Sequence, residues 1–366
     1  MEKSNLPKLV FITEAIRRDA HAPLKNFKKF EIVHFYLQAP YGDMTEEDLK
    51  GTKQVKINDL LSQIILEKPD IIQGVEPFGS KLGLKLSYIS LKATIATGAK
   101  LVCPVLENRP IKDRFSLLQR IVLRLFCPKF FRACDRIFAL NKGAVKNIQY
   151  YYKKAKIVTG IVWGVWGVDT EFFRPTGKKD KNLIIYVGRL VSEKGLMFLL
   201  EAFRGARNKI PELKLNLVGR GPLKDKMEQY LEDNLISDSV NFVGLVKNVD
   251  LPKYFSSASL SVYPSITDQR WEEQVGTVNF QSLACSTPVL TTKSGAIPEY
   301  IEEGEGAMLV PERSAKDLQQ AMVRFFSNQK LRDDLTRNAR EFSKKYDIKK
   351  EVGQAEKVLL EILDEN

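Results

Sequence analysis

Short β-branched runs alternate with stretches of helical period along almost the whole chain. KLVFIT (8–13), EIVHFY (31–36), DIIQ (70–73), LVCPVL (101–106) and RIFAL (136–140) read as strands. Their near-continuous apolar character suits strands covered on both faces. Between them, residues 45–68 contain a helix, and FSLLQRIVLRLF (115–126) is a strong one. The pattern then restarts. LIIYVG (183–188), LKLNLVG (213–219), VNFVG (240–244), LSVYP (260–264) and PVLTT (288–292) are again strands separated by helical stretches. KKEVGQAEKVLLEIL (349–363) is an amphipathic helix. This is α/β patterning, which predicts parallel sheets with crossover helices.

Between the two series lies WGVWGVDTEFFRPTGKKDKN (163–182), rich in Gly, Pro and charge and without a sustained period. The predicted architecture is therefore two Rossmann-like domains facing each other across a cleft. The first covers 1–165, the linker 166–182 and the second domain 183–345, with a C-terminal helix over 346–366 returning towards the first. The length of 366 residues agrees, because single cores stop growing well below that size.

With 44% hydrophobic and 28% charged residues the chain sits near globular averages, which excludes a disordered or fibrous class. The start, MEKSNLPKLVFIT, lacks the long apolar core of a signal peptide, and the most apolar patch (121–127) is broken by Arg124. A cytoplasmic-side protein is expected. The four cysteines (103, 127, 134, 285) show no C-x-x-C spacing and only His21 and His34 accompany them. Reduced, buried thiols are expected, with neither a zinc site nor a disulfide framework.

The net charge of +12 is lopsided. Residues 1–180 hold 31 Lys+Arg against 18 Asp+Glu, whereas 181–366 hold 26 against 27. Within the first half, 109–156 has 13 basic residues and two acidic ones, Asp113 and Asp135. Solubility does not require that asymmetry, so the first half is basic for a local reason.

Ligands of doubly wound sheets bind beyond the carboxyl ends of strands, so the residues after each strand carry the chemistry. After LIIYVG, Arg189 and Lys194 flank a turn into a helix, with Gly188 and Gly195 leaving the backbone accessible. Two fixed cations beside a helix N-terminus suit a diphosphate. The competing reading is a solvated turn in which Glu193 neutralises Lys194. After LNLVG, Gly219 and Gly221 allow a tight loop and Pro222 suits a first helical turn. The spacing is not that of a dinucleotide fingerprint. VNFVG follows, with Phe242 placed to flank a planar base. After LSVYPS, Glu273 falls in a loop, Gly276 at a close approach, and a helix starts near Thr277, burying Phe280, Leu283 and Ala284. Gln281 lies just inside that helix; a solvated helix start with acidic residues favoured by the dipole is the competing reading.

GRLVSEKG, LVGRGP, VNFVG, YPS, a Glu-x7-Gln pair and CSTPVLTTKSGAIPE occur in order, each next to a predicted strand. That series resembles the retaining glycosyltransferases of GT-B fold, the large family containing many bacterial and archaeal mannosyl- and glucosyltransferases. The resemblance is dense over about 165–300, includes GVDTEFFRP (167–175), and is looser elsewhere.

The resemblance implies a hexose moved from a nucleotide-diphosphate sugar, UDP- or GDP-linked, to a lipid-linked or saccharide acceptor, with retention and without a bound metal or other cofactor. Arg189 and Lys194 match the residues that hold the donor diphosphate. They lie where the leaving phosphate builds up negative charge, which positioned cations stabilise. No two aspartates lie two positions apart, so a D-x-D metal site is absent. Glu273 matches the acidic residue on the donor sugar, and Val275, Gly276 and Thr277 the loop that lends N–H groups. Gln281 stands where the family has a second Glu on the ribose. Ionic hydrogen bonds contribute ~1.5–3 kcal/mol and neutral ones ~0.5–1.5, so the change costs roughly 1 kcal/mol.

Two departures fall in the first half. The Gly-Gly pair after the first strand is replaced by TEAIRRDAHAPL (13–24), and the His after the fourth strand by Glu107 and Asn108 in PVLENRP. Glu107 is a candidate base or sugar ligand; the competing reading pairs it with Arg109. In this family the N-terminal domain holds the acceptor. Its basic charge suits an acidic membrane surface or lipid phosphate, with Arg109, Arg120 and Arg124 beside an apolar face of Leu117, Leu118, Ile121, Val122, Leu125 and Phe126. Packing of that face on the domain's own sheet is the alternative. No nucleic-acid module is recognisable. A non-catalytic nucleotide-sugar-binding subunit, or a sugar-nucleotide epimerase of similar architecture, are the competing functions.

Overall fold

The computed structural model describes residues 6–41, 44–269 and 271–365, which form two compact units. One runs to Trp166 and is rejoined at Ile348; the other is Gly167–Asp347.

The first unit is built on a seven-stranded parallel sheet. Its strands are β1 (Lys8–Arg17), β2 (Glu31–Tyr41), β3 (Thr52–Gln54), β4 (Ile71–Gln73), β5 (Lys100–Val105), β6 (Arg136–Ala139) and β7 (Ile157–Val158), in the order β3-β2-β1-β4-β5-β6-β7. The interior strand β1 shows why the pattern is continuous rather than alternating: Leu9, Val10, Phe11 and Ile12 are all at most 2% exposed, because both faces are covered. Its longer helices are α1 (Leu60–Glu67), α2 (Lys81–Thr97), α3 (Leu117–Ala133) and α4 (Lys142–Tyr151).

The α2 start is fixed by Ser80, whose side chain accepts from the Gly83 N–H. A reciprocal capping box between Ser116 and Gln119 sets the start of α3. That helix continues through Pro128 to Ala133, beyond the predicted end, because Cys127, Phe130 and Phe131 are buried in the core. The C-terminal helix, Ile348–Asp364, packs in this unit too, its Glu356 accepting from Lys28 N (2.7 Å) and Lys29 N (2.6 Å).

The second unit has six parallel strands: β8 (Asp180–Val187), β9 (Lys214–Val218), β10 (Val240–Gly244), β11 (Ala258–Tyr263), β12 (Val289–Thr292) and β13 (Ala307–Val310). Their order is β10-β9-β8-β11-β12-β13. Its longer helices are α5 (Leu196–Arg207), α6 (Lys224–Asp233), α7 (Thr277–Ala284), α8 (Ala315–Ser327) and α9 (Gln329–Ser343).

Both sheets therefore reverse strand order once, between β1 and β4 in the first and between β8 and β11 in the second. Those are the positions at which chain segments diverge and leave a crevice for a ligand.

The stretch expected to link the domains is itself packed. Trp163 and Trp166 are fully buried in the first unit, Trp163 stacked on Phe138 at 4.2 Å. From Gly167 onward the chain belongs to the second unit. There Val168 N–H donates to the Tyr346 carbonyl (2.9 Å), and Arg340 donates to the Thr170 carbonyl (3.2 Å). All four cysteines are buried and free. Among the described residues no helix is long and apolar enough to cross a membrane.

Candidate functional site

The loops leaving β8 and β11, on either side of the strand-order reversal in the second unit, are tied together by their backbones. Ile266 N–H donates to the Glu193 carbonyl (2.9 Å). Gly195 lies so close to the Pro264 carbonyl that a Cβ would sit 1.9 Å from its oxygen. The loop after β12 joins them from the other side, where Ala296 N–H donates to the Glu273 carbonyl (2.8 Å). Gly295, at φ +50°, passes beneath that carbonyl, and a Cβ there would meet the oxygen at 2.1 Å. Only glycine accommodates both the left-handed backbone and the approach.

This frame brings Lys194 and Glu273 together across 79 positions of sequence. Lys194 Nζ lies 2.6 Å from Glu273 Oε1, and the same oxygen accepts from Ser265 Oγ at 2.8 Å. Lys194 also stands over the Trp271 ring, 4.2 Å from its centroid. Glu193 therefore does not neutralise Lys194; it pairs instead with Arg189, at 3.3 Å, and that arginine is 57% exposed. An exposed i,i+4 pair contributes little and yields readily to a stronger anion. Beside this cluster opens a cleft of about 490 Å³ lined by Ser192, Glu193, Asp268, Gln269 and Trp271.

The remaining donor-side candidates fall around the same strand ends. Gly188, Gly219 and Gly221 stack their backbones: a Cβ on Gly219 would meet the Gly188 carbonyl oxygen at 1.9 Å, and one on Gly221 the Leu190 oxygen at 2.1 Å. Phe242 is half-buried on β10, with Lys224 5.7 Å from its ring. Gly276 caps α7 at φ 75°, Val275 is buried, and Thr277 and Gln281 are half-buried on the first turns. Phe280, Leu283 and Ala284 are fully buried beneath them. Among the described residues no group of three or more His, Cys, Asp or Glu side chains is arranged to hold a metal ion.

In the first unit the structure changes the picture. Glu107 is 1% exposed, and its carboxylate is held by Arg109 Nε (3.1 Å) and by Arg114. A carboxylate held by two guanidinium groups ties down the β5 exit loop, so the pairing with Arg109 is formed and Arg114 is added to it. Arg109, on that pair, is half-buried.

The carboxyl group that does lie at the strand-order reversal is Glu76, three residues after β4. Its Oε2 accepts from the N–H groups of Leu106 (2.8 Å) and Glu107 (3.1 Å). Burial pushes its carboxyl up to about 7, against the Leu106 hydrogen bond and the Arg114 charge that pull it down. Glu14, near the end of β1, accepts from Ser80 Oγ (2.5 Å) next to it. Glu76 and Glu14 were legible through the same strand-end rule that found Glu273, but their neighbourhood comes from the pairing of β1 with β4.

The predicted apolar face of α3 divides. Leu117, Leu118, Ile121, Val122 and Leu125 are exposed, whereas Phe126 is half-buried against the core. Arg124 is exposed; Arg120 is half-buried, with its Nε shielded from solvent.

Residues 168–342 match the family described as Glycosyl transferases group 1. The chain is 29% identical over 265 residues to the uncharacterized glycosyltransferase MJ1178 of Methanocaldococcus jannaschii, covering 72% of this chain and 70% of that protein. It is 26% identical over 311 residues to the sulfoquinovosyl transferase SQD2 of Arabidopsis thaliana, covering 79% of this chain but 56% of that one. Among solved structures, Anabaena Alr3699/HepE in complex with UDP superposes with a TM-score of 0.79 at 15% identity, over 97% of this chain and all of the other. At that identity the likeness concerns the fold, which is GT-B.

Proposed function

We propose that this chain, which belongs to the GT-B glycosyl transferases group 1 family, moves a hexose from a nucleotide-diphosphate sugar to a lipid-linked or saccharide acceptor. The observation that carries the reading is the convergence of Lys194, Glu273 and Arg189 at the strand-order reversal of the group 1 domain. Arg189 and Lys194 grip the donor diphosphate, the exposed Arg189 by exchanging its Glu193 partner for phosphate oxygens. Glu273, oriented by Lys194 and Ser265, accepts from hydroxyls of the donor sugar. The α7 N-terminus supplies N–H groups and a favourable dipole at Thr277, and Gln281 accepts from the ribose.

As the glycosidic bond breaks, charge develops on the departing β-phosphate, where Arg189 and Lys194 stabilise it. The acceptor hydroxyl attacks the anomeric carbon from the face the phosphate leaves. Its proton passes to the leaving phosphate oxygen, so the product keeps the donor's anomeric configuration. In this reading the two cations serve in place of a divalent metal, and the reaction proceeds where nucleotide sugars are made, on the cytoplasmic side. UDP is the first nucleotide to test, because the HepE structure binds it.

The experiment is a thermal-shift panel of UDP, GDP and their sugars in the presence of EDTA. The expected result is a raised Tm with one nucleotide, lost in Arg189→Ala; no shift with any of them sinks the proposal. Gln281, where the family pattern has a glutamate, favours one second reading, a binding subunit without turnover. Nucleotide release from the donor sugar by the purified chain, lost in Glu273→Ala, excludes it.

A further inference from the structure

The core of the first unit leaves one helical face unused. On α3, Leu123, Cys127, Phe130 and Phe131 face inward and are at most 3% exposed. Leu117, Leu118, Ile121, Val122 and Leu125 lie on the opposite side and are 49–77% exposed. Their spacing of three and four makes them one stripe. On α2, Lys81, Lys85, Tyr88, Lys92 and Ile95 recur at the same spacing and are all exposed. The two helices adjoin, the Tyr88 ring lying 6.4 Å from that of the half-buried Phe126 at the margin of the α3 stripe. A groove of about 220 Å³ lies between the helices, lined by Leu84, Phe115, Leu118 and Val122 and reaching Ser80, the partner of Glu14. Contiguous exposed apolar surface of this kind marks an interaction site.

Charge identifies the partner. Neither 81–97 nor 114–134 contains a single Asp or Glu. The first segment carries Lys81, Lys85 and Lys92, and the second carries Arg124, Lys129 and Arg132 with exposed side chains. Asp113, just before α3, is the nearest acidic residue in sequence on that side. Protein–protein interfaces favour aromatic residues and are depleted in lysine. An aliphatic stripe flanked by lysines and arginines, with no carboxylate among them, fits a lipid interface instead. There the aliphatic side chains enter the acyl boundary and the long basic side chains reach phosphate.

We propose that α2 and α3 together seat this protein on an anionic lipid bilayer, with Leu117, Leu118, Ile121, Val122 and Leu125 entering the interface and the surrounding cations on the headgroups. Ser80 and the groove then lie at the membrane surface, the side from which a lipid-borne acceptor arrives. The surface stands on the first unit alone and does not rest on the donor chemistry of the second.

The test is co-sedimentation of the full chain with phosphatidylcholine vesicles, with and without phosphatidylglycerol, at low and high salt. Binding is expected with phosphatidylglycerol, weakening as salt rises. Lys85→Glu and Arg124→Glu each lower partitioning by about fivefold or more, the scale of one cation at such a surface. The double variant Leu118→Gln/Leu125→Gln abolishes it. These side chains are exposed, so each variant keeps its melting temperature and its nucleotide shift, which separates loss of docking from loss of the fold or of donor binding.

Equal binding to both vesicle types, or wild-type protein left in the supernatant, overturns the proposal. So does unimpaired binding by the leucine variant. Sedimentation velocity showing a dimer that this variant dissolves reassigns the face to a second copy of the chain.

Discussion

Gly295→Ala tests whether the position of Glu273 is set by the loop beneath it. Two costs follow from the geometry. A backbone at φ +50° disfavours any L side chain by about 1–2 kcal/mol. The new Cβ would also lie 2.1 Å from the Glu273 carbonyl oxygen, where ordinary contact begins at 3.4 Å, so the carbonyl must withdraw by roughly 1 Å. That carbonyl holds Ala296 N–H, and the same residue's carboxylate holds Lys194 and Ser265. A shift of the main chain therefore moves the carboxylate with it. Displacements of about 1 Å at a reacting centre cost on the order of 10²-fold.

The assay is nucleotide release from the donor sugar at saturating donor, beside the nucleotide-induced Tm shift. Expected are a kcat on the order of 10²-fold lower and a nucleotide shift largely retained, since Arg189 sits on another loop. Gly304→Ala is the control. It has a comparable positive φ of +87° with nothing within 4 Å of the added Cβ, so it carries strain without displacement. A Gly295→Ala enzyme with wild-type kcat, or a control that loses as much activity, refutes the argument.

Other consequences can be measured separately. Glu107→Gln leaves two guanidinium groups without their buried carboxylate and lowers stability by roughly 3 kcal/mol, about 6–12 °C in Tm, with the nucleotide shift unchanged. An unchanged Tm with lost turnover would make Glu107 a chemical group after all. In a double-mutant cycle, Lys194→Met and Glu273→Gln should couple by roughly 1–3 kcal/mol in thermal stability, and additivity would mean the pair is not formed in solution.

Glu351 is 2% exposed, and burial pushes its carboxyl up to about 7 against its hydrogen bond from Val162 N–H. The fold favours the neutral acid, so that stability is complete below pH 4.5 and is lost as pH rises through 7, up to about 3 kcal/mol. Glu351→Gln should flatten that part of the stability–pH curve, leaving the matching contribution of Glu76; a curve identical to wild type removes the assignment. Gln281→Glu should hold or tighten donor binding by up to about fivefold, the worth of an ionic over a neutral hydrogen bond. A large loss would mean that the ribose is held elsewhere.

The sequence by itself determined the parallel strands of both sheets that are flanked on two sides, because continuous apolar runs such as KLVFIT and LIIYVG satisfy burial on two faces and nothing else. It missed β3, β7 and β13, all sheet-edge strands, whose short runs become strands only because a neighbour offers a hydrogen-bonding edge. It singled out Arg189, Lys194 and Glu273 because each follows a strand, a local property.

It had no means to determine that Lys194 belongs to Glu273 and Arg189 to Glu193, because that pairing depends on which strands lie next to one another. The same reason set the surroundings of Glu76, brought to the β5 exit loop by sheet order, and gave Glu107 Arg114 as a second partner beside Arg109. For α3 the sequence supplied an apolar stripe and a basic neighbourhood. Which side faces the core was decided by packing: Leu123, Cys127, Phe130 and Phe131 fill the interior, and the other leucines and isoleucine remain outside. Periodicity measures how much apolar surface a helix carries, and only the surrounding chain determines how much of it the fold consumes.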